Sequence, residues 1–182
     1  EISPRMLEEL GINLVMIGHS ERRHVFGEYD AEENRKVRAA LNHGFKALLC
    51  VGETEEEKNY GIAEEVLRTQ LKVGFYDVDA EKRKNLWVAY EPVWSIGVNG
   101  VPATAGYAEN MHKIIKETLT ELFGPAGEEL PVLYGGSVNP QNAESLIVQP
   151  SIYGLFVGRC AWDADEFNAL IRSAEKAYKE KT

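Results

Sequence analysis

The chain has 182 residues, of which 44% are hydrophobic and 27% are charged, and we expect one domain over residues 1–182 with a sizeable apolar core. Its 29 acidic and 20 basic side chains give a formal net charge of -9, which argues against nucleic acid or an anionic membrane as the main partner. No apolar run approaches membrane-spanning length, and no signal-peptide pattern is present at the start.

Short apolar runs alternate with longer amphipathic stretches along the chain. We predict helices over residues 4–10, 31–43, 55–75, 105–123, 140–147 and 164–179, and strands over 13–17, 47–51, 87–90, 132–134 and 154–157. Ser3-Pro4 and Asn139-Pro140 each predict a helix start, with an N-cap residue followed by proline at the first helical position. Strands that alternate with helices predict an α/β fold of about five parallel strands with right-handed crossovers.

Two ionisable side chains follow strands at the same end of the predicted sheet. His19 comes just after the strand 13–17 and before a helix that begins at Ser20, and Glu91 follows the strand 87–90. Because parallel strands end at a common edge, we expect these two side chains to lie close together. A strand holds a carboxylate rigidly, and the Pro/Gly-bounded loop after Glu91 can close over a small substrate, so the pair predicts proton transfer on carbon.

Glycine turns follow the last two predicted strands. Gly135-Gly136-Ser137 follows the strand 132–134, and Gly158 follows the strand 154–157. Backbone amides that converge at such turns bind anions, and phosphate is their usual guest. A single Gly-Gly pair is more often only a tight turn. The same edge also carries a Glu and a His, and this combination favours a phosphate site.

Five motifs together resemble the triosephosphate isomerase family, and the resemblance covers nearly the whole chain. They are GHSERR (18–23), CVGET (50–54), AYEPVWSIG (89–97), YGGSV (134–138) and GLFVGR (154–159). The resemblance implies a TIM (β/α)₈ barrel with its active site at the carboxyl ends of the strands. The chain matches only the last five of the eight units, so it implies a partial barrel that lacks the first three βα units.

The resemblance also implies the role of each site residue. Glu91 would be the base and His19 the electrophile, a neutral imidazole whose pKa is lowered by a helix N-terminus. Together they would isomerise a small phosphorylated sugar of the dihydroxyacetone phosphate/glyceraldehyde 3-phosphate type through an enediol(ate), without a cofactor or a metal ion. The residues expected to bind phosphate are Gly97, Ser137, Gly158 and Arg159, and those expected to support the site are Glu21, Tyr134, Gly135 and Gly136.

Other residues are expected to have structural roles. We interpret His24, His43 and His112 as ordinary helix or surface residues. Tyr90 and Trp94 are expected to pack the hinge of the lid, which the family places here at residues 95–104. Cys50 and Cys160 are typical of reduced residues, so we expect a cytoplasmic protein. The chain opens on Glu1 rather than on methionine, which we interpret as a start that is missing or processed.

The sequence departs from the family pattern in ways that bear on activity. The first strand, with the family's Asn and Lys that contact substrate, is absent, and losing one such electrostatic group commonly costs about 10²–10³ in rate. We therefore expect very low activity or none. The lid is about one residue longer than usual, with Val98, Asn99 and Pro102 in its second half, and Arg159 replaces a glycine. Both features are similar to a branch of the family that acts on erythrulose phosphates.

Two hypotheses of different class remain open, an isomerase and a non-catalytic, self-associating scaffold. The strands 13–17 and 154–157 would be unpaired edges of an open barrel, which favours pairing with other chains. We expect a homo-oligomer, a dimer or a tetramer. Its interface would include the inward faces of the strands, assigned here to Val15, Leu49, Val88, Leu133 and Phe156.

Overall fold

The computed structural model describes residues 2–97 and 100–181, and these form one parallel sheet with flanking helices. The five strands lie in the order of the sequence, each paired in parallel with the next. They are β1 (Leu14–Ile17), β2 (Lys46–Val51), β3 (Leu86–Tyr90), β4 (Val132–Tyr134) and β5 (Gly154–Leu155). The prediction of a partial TIM-type α/β fold is confirmed. No helix in the described part of the chain is long and apolar enough to cross a membrane.

The described residues contain nine α-helices. They are α1 (Pro4–Glu9), α2 (Ser20–His24), α3 (Asp30–Asn42), α4 (Glu55–Asn59), α5 (Ala63–Gly74), α6 (Ala105–Phe123), α7 (Pro125–Glu128), α8 (Ala143–Ile147) and α9 (Ala164–Lys181). Short 3₁₀ turns span Ala80–Asn85, Val93–Ser95 and Arg159–Ala161. The last two turns follow β3 and β5, so they lie where the candidate site was predicted.

The first predicted helix start is confirmed and two other helix predictions are wrong. Ser3 caps α1 by accepting a hydrogen bond from the Met6 amide. The helix predicted over 55–75 is divided into α4 and α5, because the chain turns at Gly61 with a φ of +75° that other residues rarely adopt. Asn139-Pro140 does not begin a helix directly, because the Asn139 side chain accepts from the amides of Gln141 and Asn142 in a turn before α8.

The sheet separates two clusters of apolar side chains. The main core lies between the sheet and the helices and includes Leu49 and Val88, with Val15 packed against it. The opposite face carries a smaller cluster that comprises Leu48, Cys50 and Ala89, with Leu14, Trp87, Leu133 and Phe156 packed against it. The assignment of Val15, Leu49 and Val88 to the inward face is therefore wrong, because side chains alternate along a strand and these three face the helices. The assignment of Leu133 and Phe156 is correct.

A buried carboxylate pair lies near the amino-terminal end of α3. Glu28 accepts hydrogen bonds from Arg22 and lies 2.5 Å from the Lys36 ammonium. These two cations, and Arg22 most of all, lower the pKa of Glu28 to about 2. Glu33 is fully buried, and neither of its oxygens accepts a hydrogen bond from a described residue. Burial and the neighbouring Glu28 raise the pKa of Glu33 to about 7, so below neutral pH Glu33 holds a proton that it can share with Glu28.

We predict that Glu33→Gln stabilises the fold at alkaline pH. The unfolded chain releases the Glu33 proton near pH 4.5 and the folded chain near pH 7, so the stability of the native protein falls as the pH rises through this window. Gln cannot ionise, and its amide can donate to Glu28 as the protonated carboxyl does. The expected gain in the free energy of unfolding is about 1–3 kcal/mol at pH 8 and close to zero at pH 4, measured by urea denaturation. An equal gain at both pH values would contradict the assignment.

Candidate active site

The structure brings His19 and Glu91 into contact at the carboxyl edge of the sheet. The Nε2 atom of His19 lies 3.1 Å from Oε1 of Glu91, and the Ser20 amide lies 3.3 Å from Oε2. The Glu91 carboxylate is only 3% exposed, whereas His19 is half-buried. An imidazole and a carboxylate in contact at one edge of the sheet can give and take protons on one small molecule.

Two glycines allow the backbone to approach closely at this edge. Gly18, at the end of β1, has a φ of +74°, and a Cβ there would lie 2.9 Å from the Arg23 guanidinium. A Cβ on Gly52, after β2, would collide with the carbonyl of Glu91. The Arg23 side chain donates to the carbonyls of Gly18 (2.8 Å) and Cys50 (3.1 Å), and thereby ties the ends of β1 and β2 together beside His19.

His19 is held in one tautomer. It is the N-cap of α2, and its Nδ1 accepts a hydrogen bond from the Glu21 amide at 3.3 Å, so the ring proton lies on Nε2, the atom that faces Glu91. The hydrogen bond with Glu91 raises the pKa of His19, and partial burial opposes the rise without reversing it. The family resemblance implies a pKa lowered by the helix N-terminus. The direction differs here because Glu91 contacts the ring directly.

Glu53 is a buried site residue to which the sequence analysis assigned no role. Its carboxylate is fully buried after β2 and accepts hydrogen bonds from Tyr90 Oη (3.0 Å), Trp94 Nε1 (2.8 Å) and Tyr107 Oη (2.8 Å). The Lys58 ammonium lies 3.3 Å from the centroid of the Trp94 ring. Tyr90 and Trp94 do pack at the hinge, as expected, but through hydrogen bonds to this carboxylate. The signal in the sequence was the motif CVGET, which places a Glu directly after a buried strand.

The residues expected to bind phosphate contact the first half of the lid. The Ser137 amide donates to Ser95 Oγ at 3.2 Å, and Arg159 Nη2 donates to the Gly97 carbonyl at 2.6 Å. Gly97 has a φ of +87° and is exposed. Gly158 immediately precedes the turn Arg159–Ala161. Ser137 and Arg159 therefore each contact the segment 95–97. In the described part of the chain, no hydrogen bond joins Gly158 to this segment. Val98 and Asn99 lie outside the described residues.

The other expected site residues fall into two groups. A Cβ on Gly135 would lie 3.0 Å from Cγ of Glu91, and one on Gly136 would collide with the phenol of Tyr134, so both glycines permit close packing against the site. Tyr134 is buried, and its ring packs against His112 and Tyr90. Glu21 is exposed, and its amide rather than its carboxylate contacts His19.

The remaining histidines lie outside the site. His24 and His43 are exposed, at α2 and just after α3. His112 is fully buried on α6, where burial lowers its pKa to about 3. Its Nδ1 lies 3.2 Å from the carbonyl of Ser151, which assigns it a structural role within a helix. Cys50 is buried in the smaller cluster, as expected for a core cysteine.

These features define the chain as part of a β/α barrel whose polar side chains gather at the carboxyl edge of the strands. Consistent with this, the family model described as "Triosephosphate isomerase" matches residues 1–174. The chain belongs to the triosephosphate isomerase family.

Several curated proteins are similar to the chain. It is 50% identical over 178 residues to an L-erythrulose-1-phosphate isomerase from Rhizobium etli, which covers 97% of this chain and 66% of the relative. A protein of the same name from Rhizobium meliloti is 47% identical, with 97% of this chain and 69% of the relative covered. A triosephosphate isomerase from Natranaerobius thermophilus is 43% identical, with 97% and 68% covered. The chain spans about two thirds of the length of these relatives.

We predict that Glu91→Gln lowers the pKa of His19. The hydrogen bond that His19 donates to Glu91 is the largest cause of the raised pKa, and a neutral amide removes the charge that favours the imidazolium. The pKa is measured by following the His19 ring signals in an NMR titration, with exposed His24 of the same protein as the internal control. An unchanged His19 pKa, with the fold intact, would mean that the contact does not govern its protonation.

Proposed function

We propose that this edge is the site of an aldose–ketose isomerase acting on a small sugar phosphate, with Glu91 as the base and His19 as the electrophile. The observation that carries the proposal is the 3.1 Å contact between the two side chains, which come from different strands. A carboxylate that is almost completely buried beside an imidazole of fixed tautomer is suited to proton transfer rather than to a surface role.

The proposed reaction moves one proton between adjacent carbons. Glu91 takes the proton from the carbon next to the substrate carbonyl, while the Nε2 proton of His19 stabilises the charge that develops on the carbonyl oxygen. The electron pair of the broken C–H bond forms the C=C bond of an enediol(ate). Glu91 then returns the proton to the neighbouring carbon. The hydroxyl proton on that carbon's oxygen passes, by way of Nε2 of His19, to the oxygen of the former carbonyl, and the new carbonyl forms at the second oxygen. Because Glu91 accepts hydrogen bonds from His19 and Ser20 in the structure, the substrate has to replace these contacts.

The phosphate of the substrate would lie where the glycine turns meet the lid. The groups that support this location are the amides of Gly97, Ser137, Gly158 and Arg159, together with the Arg159 guanidinium. The overall charge of -9 cannot attract an anion, so these local donors have to supply the attraction.

A four-carbon substrate is the second candidate within this reaction class. The observation that favours it is the higher identity to relatives named L-erythrulose-1-phosphate isomerase, 50% and 47%, than to the triosephosphate isomerase from Natranaerobius thermophilus, 43%. A substrate longer by one carbon needs the same proton transfer and the same phosphate donors. Glu91 and His19 therefore do not indicate whether the substrate has three or four carbons.

The competing proposal is a scaffold without significant catalysis. The chain matches the part of the family that follows its substrate-binding lysine, so we expect slow turnover from the 182 residues tested alone. Catalysis by the 182 residues alone therefore has to be measured by a method that detects exchange of a carbon-bound substrate proton with solvent.

We predict that the chain exchanges a carbon-bound proton of dihydroxyacetone phosphate with solvent and that Glu91→Gln abolishes this exchange. An amide cannot accept the proton, so the loss should be at least about 10²-fold, a typical contribution of a general base. The measurement is deuterium uptake from D₂O, followed by proton NMR, with erythrulose phosphate as a parallel substrate.

Glu65→Gln is the matched control, because Glu65 is an exposed carboxylate on α5 and none of the expected site residues. Uptake by the wild type that does not exceed the rate in buffer would support the scaffold. Uptake that persists in Glu91→Gln would show that another group is the base.

We also propose that the chain self-associates through the outer strands of its sheet. One groove lies along β1 and is lined by residues that include Ile2, Leu7, Leu14, Met16 and Phe26. A second groove, between β5 and α9, is lined by residues that include Tyr153, Leu155, Phe167, Leu170 and Tyr178. Apolar side chains beside unpaired strand edges favour pairing with a second copy of the chain.

We predict that the protein sediments as a dimer or a larger closed assembly and that Met16→Lys shifts it toward the monomer. Met16 is 49% exposed on β1, and a charge there opposes burial in an interface. The measurement is analytical ultracentrifugation at micromolar concentration, with Tyr76→Lys, 72% exposed after α5, as the control. A stable wild-type monomer of 20.4 kDa would contradict the proposal.

A further inference from the structure

Arg159 joins the last loop of the sheet to the lid. It is the first residue of the 3₁₀ turn after β5, and its Nη2 donates to the carbonyl of Gly97 at 2.6 Å across 62 positions of sequence. The same carbonyl also accepts a longer hydrogen bond, 3.3 Å, from the Gly100 amide within the lid. The hydrogen bond from Arg159 is the contact that ties Gly97 to the loop after β5.

A second contact holds the same segment from the neighbouring loop. The Ser137 amide, after β4, donates to the hydroxyl of Ser95, which is fully buried. We call residues 95–97 the hinge segment. It is bound at its start by the loop after β4 and at its end by the loop after β5, which are the two loops that carry the candidate phosphate donors.

The guanidinium of Arg159 can bind two acceptors at once. It has five N–H donors in a planar fork, and only Nη2 donates to a protein group in the described part of the chain. The remaining donors can bind phosphate oxygens while Nη2 keeps the Gly97 carbonyl, because carbonyl and phosphate can lie on different sides of the fork.

We propose that Arg159 is a positioning residue that couples phosphate binding to the order of the hinge segment. The proposal rests on the proposed function. In it, the Arg159 side chain both binds the phosphate and holds the lid. When the anion binds, the guanidinium contacts both the phosphate and the Gly97 carbonyl. Each contact limits the motion of the Arg159 side chain and thereby stabilises the other contact. An ordinary exposed hydrogen bond would contribute little to stability and would not respond to an anion.

The test compares three variants with inorganic phosphate as the probe, at constant ionic strength. Arg159→Gln keeps a donor and removes the charge, and Arg159→Lys keeps the charge and removes the fork. Arg172→Gln is the matched control, because Arg172 is exposed on α9. The affinity for phosphate is measured by NMR titration, and the order of the lid by amide hydrogen exchange of residues 95–97 and 100–104, with and without phosphate.

We expect phosphate to slow lid exchange in the wild type and in Arg172→Gln. In Arg159→Gln we expect faster lid exchange without phosphate, about tenfold weaker phosphate binding and no protection by phosphate. Arg159→Lys should recover part of the affinity but not the slow exchange, because an ammonium lacks the fork.

Three results would overturn the proposal in whole or in part. Equal lid exchange in Arg159→Gln and the wild type would exclude the tether. Phosphate that binds Arg159→Gln as tightly as the wild type, or protects its lid equally, would exclude the coupling. Wild-type protein that binds no phosphate at 50 mM, roughly the weak limit for a useful anion site, would exclude both the coupling and the phosphate site of the proposed function. Faster exchange in Arg159→Gln would then leave a purely structural tether.

Discussion

The parallel register of the sheet is the constraint on which the candidate site depends. Val51 pairs with Tyr90 and Tyr90 with Tyr134, so the strands end at one level and their loops share one edge. The ladder continues one step further, because the Glu91 amide donates to the carbonyl of Val51 at 2.7 Å and the Gly135 amide to that of Tyr90 at 2.7 Å. The backbone at Glu91 is therefore fixed, and its carboxylate can change partners only by rotation of its own side chain. A fixed backbone suits the proton transfer proposed for Glu91, because it determines where the carboxylate lies.

Much of this arrangement could be predicted from the sequence, because it follows from local patterns. Apolar runs located four of the five strands to within one residue at each end, and the position of a residue after a strand was enough to bring His19 and Glu91 together. What could not be predicted depends on orientation and on distant partners. A run in which every residue is apolar, such as 47–51, does not indicate which face meets the helices, and the inward face was therefore assigned wrongly for Leu49. The break at Gly61 was missed because a single glycine in a helical pattern does not by itself indicate the end of a helix.

Two buried carboxylates illustrate why burial alone does not reveal a role. Glu53 and Glu33 are both fully buried. Glu53 accepts hydrogen bonds from the side chains of two tyrosines and a tryptophan, so its buried oxygens have partners and it can orient Trp94. Glu33 has no such donors among the described residues, and its raised pKa shows that the protein accommodates it as a neutral acid instead. The difference lies in residues far away in sequence, such as Tyr107, which no local pattern connects to Glu53.

The loops of the sheet converge on one short segment, and this convergence is what connects the fold to the proposed chemistry. Glu53 binds Trp94 from the loop after β2, and Ser137 and Arg159 bind residues 95–97 from the loops after β4 and β5. Each hydrogen bond contributes only about 1 kcal/mol, so the segment can move when a ligand offers equivalent partners. A phosphorylated substrate offers such partners for the donors of Ser137 and Arg159, but none for the indole of Trp94. The contacts of Ser137 and Arg159 are therefore the ones that a phosphorylated ligand can replace, whereas the contact between Glu53 and Trp94 would remain.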